Sequence, residues 1–370
     1  MKRIKRDFKA LIVSACFMLT ILGFMLVNII VPDKELSYSE RRRLFAAPVF
    51  SVDRLFSGKL TDDFEKYTMD QFVLRDAFRG LKAAARYFIF NQKDNNGIYI
   101  IDGNISKLEY PLNERSVRNA SLKLNDICSR YLEGMNVYYA VIPDKNYFLA
   151  SKNGYLAIDY DQMIEILEEE INSLNYIDIT DTLTIDDYYK TDIHWSQDRI
   201  VGTADKLLKG MGNDARASEF DYNMEKLHPF YGSYYGQAAL RLKPDSLVYL
   251  TNSILEDAVV YDYETGSYGR VYEPERFSGV DPYDVFLSGA RALMTVSNPA
   301  STSDKELILF RDSFGSSIAP LLLAGYSRVT LIDLRYISTG LLGDYIDFSK
   351  DADVLFLYNT LVLNNSYMLK

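Results

Sequence analysis

The chain has 370 residues, 48% of them hydrophobic, enough to fill one large core or two ordinary ones. A formal net charge of −10, with no long basic run beyond the first residues, argues against a nucleic-acid partner, because a polyanion would be repelled. Of the two cysteines, Cys16 lies in an apolar run, so Cys128 has no partner for an internal disulfide in the remainder of the chain.

The N-terminus opens with Lys2, Arg3, Lys5, Arg6 and Lys9, followed by an uncharged apolar run from Ala10 to Val31. At about 1.5 Å per helical residue this run crosses about 30 Å of hydrocarbon. The basic cluster predicts a cytoplasmic N-terminus and an extracytoplasmic remainder, a bias that Arg41, Arg42 and Arg43 weaken. Val13-Ser-Ala-Cys16 has the outline of a lipoprotein cleavage box, but the apolar run continues well past it, and no small-x-small site closes the run. Residues 1–31 therefore read as a basic tip and an uncleaved membrane anchor. Residues 32–95 read as a helical stalk or packing segment. Within it, 60–90 carries apolar residues at helical spacing, with Thr61 or Asp62 as N-cap and Asp94 to Gly97 as terminating turn.

From residue 96 to 370, short β-rich runs alternate with amphipathic helices. The runs are "GIYII" (97–101), "NVYYAVIP" (136–143), "YIDIT" (176–180), "SLVYL" (246–250), "ELILF" (306–310), "RVTLID" (328–333) and "DVLFLY" (353–358). Helical patterns cover 160–174 and 196–211. Strands separated by helices predict an α/β domain with a mostly parallel sheet covered on both faces. The Tyr-, Gly- and Pro-rich stretch from about 216 to 296 breaks the rhythm and reads as a β-rich insertion.

Two loops carry chemistry. The strand 306–310 runs into Arg311-Asp312-Ser313-Phe314-Gly315 and then an apolar helix. Ligands of open α/β sheets bind at the carboxyl ends of strands, and a serine there stands beside helix N-terminal N–H groups, Gly315 among them, that can hold an oxyanion. Serine needs a base, usually a histidine oriented by a carboxylate. The chain offers only His194 and His228, and His194 has Asp192 two positions before it and the sole tryptophan, Trp195, directly after it. Both loops also fit helix capping, by Ser313 in one and Asp192 in the other, with His194 a surface residue. Arg335, one step past a strand, fits either an acyl-oxygen contact or a structural pair with Asp333; Tyr358 and Asn359, at another strand end, are weaker candidates of the same kind. His228 reads as structural, and the rings of "HPFYGSYYGQ" (228–237) suit either a sugar face or ordinary packing. With no His-x-x-x-His, Cys pair or acidic motif, neither a metal nor another cofactor is expected.

The blocks "VIPDKNYF", "YYKTDIHW", "FYGSYYGQAA", "DPYDVFLSG" and "RDSFGSSIAPLLLAGYSRVTLIDLRY", in that order behind a membrane anchor, resemble the DHHW protein family. That family is similar to the alginate O-acetylation proteins, whose SGNH-hydrolase-like domain has a permuted chain order. The resemblance implies a three-layer α/β domain, with Asp192, His194 and Ser313 as carboxylate, base and nucleophile. It implies an O-acyltransferase or acetylesterase acting on an exported polysaccharide, and a transferase would need a membrane-bound partner to deliver acyl groups. Two departures stand out: Ile193 replaces the family's other histidine, and Gly289, of the block expected to contact the oxyanion, is followed by Ala290 where Asn is expected. An oxyanion donor of that kind contributes about 3 kcal/mol. The rival reading is a glycan-binding or assembly protein that keeps the fold without the chemistry.

Overall fold

The computed structural model describes residues 2–171, 174–301 and 303–370, with side chains from Phe8 onward. The side chains of the basic cluster Lys2, Arg3, Lys5 and Arg6 lie outside the described residues, as do Asn172 and Ser173 in the helix expected to reach 174. Two compact units are formed, Met1–Gln92 with Ala239–Arg241, and Lys93–Ala238 with Leu242–Lys370.

In the first unit, helix α1 spans Lys2–Ile30, and its stretch Phe8–Ile30 has mean hydropathy 2.6 and no buried residue. This helix is long and apolar enough to cross a membrane. The helical stretch expected over 60–90 is divided into Lys59–Gln71, Arg75–Ala84 and a wider turn at Ala85–Ile89. Neither Thr61 nor Asp62 caps it; the first helix starts behind Gly58, whose φ of 78° is the left-handed conformation glycine adopts without strain. Arg42 grips the nearly buried Asp70 with both terminal nitrogens at 2.7 and 2.5 Å, and Arg75 and Arg79 reach Glu40 at 2.6 and 3.2 Å. The Arg42 hydrogen bonds hold the Asp70 carboxyl below its ordinary range. Arg42, one of the three arginines that blurred the charge asymmetry, is thus neutralised by neighbouring acids.

The second unit is built on an eight-stranded sheet. Its strands in chain order are β1 Val137–Ile142, β2 Asn175–Tyr176, β3 Val259–Asp262, β4 Ser267–Gly269, β5 Leu293–Ser297, β6 Glu306–Arg311, β7 Arg328–Ile332 and β8 Ala352–Asn359. In space they run β4-β3-β5-β7-β6-β8-β1-β2. From β7 to β2 every pairing is parallel, whereas β5, β3 and β4 continue the sheet antiparallel. The sheet is therefore mixed. Much of the stretch read as an insertion is its antiparallel edge, and the remainder includes a separate hairpin, Asn223–Phe230 with Asp245–Thr251. "SLVYL" belongs to that hairpin and "GIYII" to another, Ile98–Ile101 with Asn104–Lys107, rather than to the main sheet.

Alternation along the strands sorts side chains to two faces. Leu307, Leu309, Leu355 and Leu357 join one core with helices α4 (Val201–Gly210) and α5 (Gly315–Leu322). Ile308, Phe310, Val354 and Phe356 join the other with α2 (Glu114–Tyr131) and α3 (Tyr160–Glu170). The result is a three-layer α/β domain. Arg311 pairs with Leu357 and Leu357 with Ala140, so the carboxyl ends of β6, β8 and β1 lie level along one edge.

Candidate active site

At the end of β6 the chain turns through Asp312, Ser313 and Phe314 into α5. Asp312, not Ser313, accepts the turn's hydrogen bonds: Oδ1 takes the Phe314 N–H at 2.9 Å and Oδ2 the Asn359 N–H at 2.7 Å. Burial pushes its carboxyl above the usual range, against the pull of Arg335. The Ser313 hydroxyl is left out of the capping. Of residues 307–323, Ser313 alone is not buried. The close approach of α5 to β6 requires Gly315, since a Cβ there would stand 2.5 Å from the Arg311 Cβ.

Across from it, 119 residues away in sequence, His194 places Nε2 2.7 Å from the Ser313 Oγ, and its Nδ1 lies 2.6 Å from the Asp192 Oδ1. An ionised carboxylate only accepts, so Nδ1 carries the proton and Nε2 faces the hydroxyl with its lone pair. Asp192 is fully buried; its Oδ1 also takes the His194 main-chain N–H at 3.0 Å, and Oδ2 takes the Ser233 N–H at 2.5 Å. Ser233 comes this close because residue 232 is glycine: a Cβ there would lie 2.3 Å from the Thr191 carbonyl oxygen.

The imidazole stacks on Tyr283 at 3.9 Å with 8° between planes. Trp195, fully buried, donates its Nε1–H to the Ser317 Oγ on α5 at 2.8 Å, and the Tyr283 hydroxyl donates to the same oxygen at 2.9 Å. The lone tryptophan thereby joins the His194 loop to α5.

The remaining candidates have other partners. The N–H of Gly315 goes to the Asp312 carbonyl at 3.1 Å and that of Gly289 to Phe286 at 3.0 Å, so neither is available to an oxyanion. Ser316 is likewise bonded to the Ser313 carbonyl, which leaves the N–H of Ser313 itself without a partner among the described residues. Arg335 closes on Asp333 with Nε at 2.9 Å and Nη2 at 2.6 Å, the structural pair that was one of its two readings. Tyr358 belongs to the core face of α2 and α3, opposite α5, and burial raises its phenol far above the usual range. Among the described residues, no group of three or more His, Cys, Asp or Glu is arranged to hold a metal ion.

Sequence reasoning missed the roles of Tyr283, Gly232 and the buried run Asp144-Lys145-Asn146 just after β1, although all five lie in the quoted blocks. Asp144 accepts the Tyr160 hydroxyl at 2.6 Å and the Tyr147 N–H at 3.0 Å, and burial raises its pKa to about 6. Because the folded pKa lies above the ordinary value of 3.8, its contribution to stability is fully present below about pH 4 and is lost as pH rises through about 6. Asp144→Asn is expected to gain on the native protein by up to about 3 kcal/mol between pH 4 and 8, since each pH unit separating the folded and unfolded pKa values is worth about 1.4 kcal/mol. Urea titrations at both pH values measure it; a pH-independent difference would contradict it.

No family model matches the chain, and no curated protein matches it. Solved structures do. A DHHW family protein from Eubacterium siraeum is 20% identical with TM-score 0.61, over 74% of this chain and 94% of that one. Bacillus cereus PatB1 with a sulfonyl adduct is 18% identical with TM-score 0.59, over 72% and 95%. A second PatB1 structure gives 16% and 0.57 over 73% and 97%. The chain has the α/β, SGNH-hydrolase-like fold of these proteins, with a mixed sheet, and carries an N-terminal apolar helix long enough to span a membrane.

Proposed function

We propose that this protein belongs to the DHHW family and is a membrane-anchored, extracytoplasmic serine O-acyltransferase or acetylesterase acting on a polysaccharide. The observation that carries the reading is the continuous relay from Ser313 through His194 to Asp192, with heavy-atom distances of 2.7 and 2.6 Å. Ser313 Oγ attacks the acyl carbonyl while His194 Nε2 takes its proton; the developing oxyanion is received by the free N–H of Ser313. His194 then protonates the departing alcohol or leaving group. In the second half, His194 deprotonates a sugar hydroxyl or water, which attacks the acyl carbon and releases Ser313. Asp192 keeps His194 in the tautomer that does this. The Ala290 side chain has no donor, so the oxyanion depends on main-chain N–H groups. In this reading the basic tip stays in the cytoplasm, and a membrane-bound protein supplies acyl groups if the acceptor is a sugar.

PatB1 was solved with a sulfonyl adduct, and such adducts form when an activated nucleophile displaces a leaving group from sulfur. The test uses the same chemistry. Full-length protein in detergent is treated with an aryl sulfonyl fluoride, mapped by peptide mass spectrometry, and assayed with an activated acetyl ester. The expected result is one adduct, on Ser313, formed at the rate at which ester turnover is lost. No adduct and no turnover would leave the glycan-binding reading in its place.

A further inference from the structure

We propose that Lys145 is a positioning residue for the Asp192–His194 pair, drawing the main chain of their loop onto the carboxyl end of β1 through three backbone carbonyls. This rests on the serine reading above. The Lys145 side chain is 1% exposed. Its Nζ donates to the carbonyls of Tyr189 at 2.8 Å, Lys190 at 2.9 Å and Asp192 at 3.3 Å, with the Tyr234 ring 5.9 Å away. An ammonium has three N–H groups and three acceptors meet it, the condition on which a buried charge is tolerated.

Three carbonyls turned toward one point within four residues is not an arrangement a free loop adopts, since each oxygen repels the others. The cation holds them there. Because the Asp192 carbonyl is one of the three, the backbone that aims the Asp192 carboxylate at His194 is set by Lys145. On its other side the loop is gripped by Asp245, whose Oδ2 takes the Thr191 N–H at 2.7 Å and hydroxyl at 2.6 Å. Burial pulls the Lys145 pKa down to about 7, while Asp192 and Asp245 push it up. Lysine suits the position because its three donors spread around a point; the planar fork of arginine does not match three convergent carbonyls. Asp144 and Asn146, buried on either side, fix the base of the side chain: Asp144 caps the short helix Lys145–Leu149, and Asn146 accepts the Tyr99 hydroxyl at 2.7 Å.

The test compares full-length native protein with Lys145→Met and Lys145→Gln in detergent. Two readouts are taken: sulfonylation of Ser313, resolved into limiting rate and half-saturating reagent concentration, and the far-downfield proton NMR signal of the His194 Nδ1–H bound to Asp192. For Lys145→Met the limiting rate per folded molecule is expected to fall about 10²-fold, the size of a small misplacement of catalytic groups, with half-saturation unchanged and the downfield signal lost. Lys145→Gln, which keeps two N–H donors, should fall between and carries the same test if the Met variant does not fold. Native limiting rate and an intact downfield signal in the folded variants would overturn the proposal. If native protein does not label at all, the serine reading fails, and the downfield signal alone still decides whether Lys145 sets the pair.

Discussion

Asp192→Asn is expected to lower kcat for an activated acetyl ester by about 10⁴-fold with KM little changed. The reason lies in the count of donors around the carboxylate. Oδ1 accepts the His194 N–H and Nδ1–H, and Oδ2 accepts the Ser233 N–H. An asparagine offers one acceptor and two donors where these three N–H groups all donate. If its amide nitrogen faces Ser233, two N–H groups collide at the 2.5 Å contact; if it faces His194, the imidazole must take the other tautomer and present Nε2–H to Ser313. In the second arrangement the serine has no base. Steady-state kinetics with a cooperative melting curve for the variant make the measurement, and a loss below about 10-fold would remove Asp192 from the relay.

Asp333→Asn is expected to cost about 3–5 kcal/mol of stability, the loss typical of an uncompensated buried pair. Asp333 and Arg311 are both completely buried, and Asp333 is the carboxylate that Arg335 clasps and that stands 3.6 Å from the Arg311 Nη1. Nε and Nη2 of Arg311 have no hydrogen-bond partner among the described residues, and burial pulls its pKa below the ordinary value, with Asp333 the largest opposing influence. Removing that charge leaves two guanidinium groups facing Asp312 alone. Urea denaturation should show the midpoint lowered at unchanged slope; a change under about 1 kcal/mol would mean that Asp312 suffices for both arginines.

Asp192, His194 and Ser313, which the structure brings within hydrogen-bond distance in that order, were legible as candidates because the chain has only two histidines and each of the three lies in a strand-end loop. Strands β1, β6, β7 and β8 were legible because strands buried on both faces are nearly continuous apolar runs. The antiparallel edge was not: Val259–Asp262 and Ser267–Gly269 are too short and too rich in Tyr and Gly to differ from an irregular segment. Nor does sequence reveal which N–H groups are already bonded, which is why Gly315 and Gly289 looked available. Lys145 carried no local signal at all, since a lysine is ordinarily exposed and only the convergence of a distant loop makes this one buried.

The strand that comes last in the chain order of this sheet is a central one. β8, Ala352–Asn359, lies between β6 and β1 and is paired in parallel with both. A ribosome that has finished β1 must add roughly 200 residues before β8 exists, on the order of 10 to 40 s at ordinary rates of synthesis. Until then the halves of the parallel sheet cannot join; the edge of β1 stands open through the whole interval, and that of β6 once it is made, to any helper that binds unpaired strands. A chain cut short before β8 therefore carries Asp192, His194 and Ser313 but lacks the strand that joins the two halves of the sheet behind them.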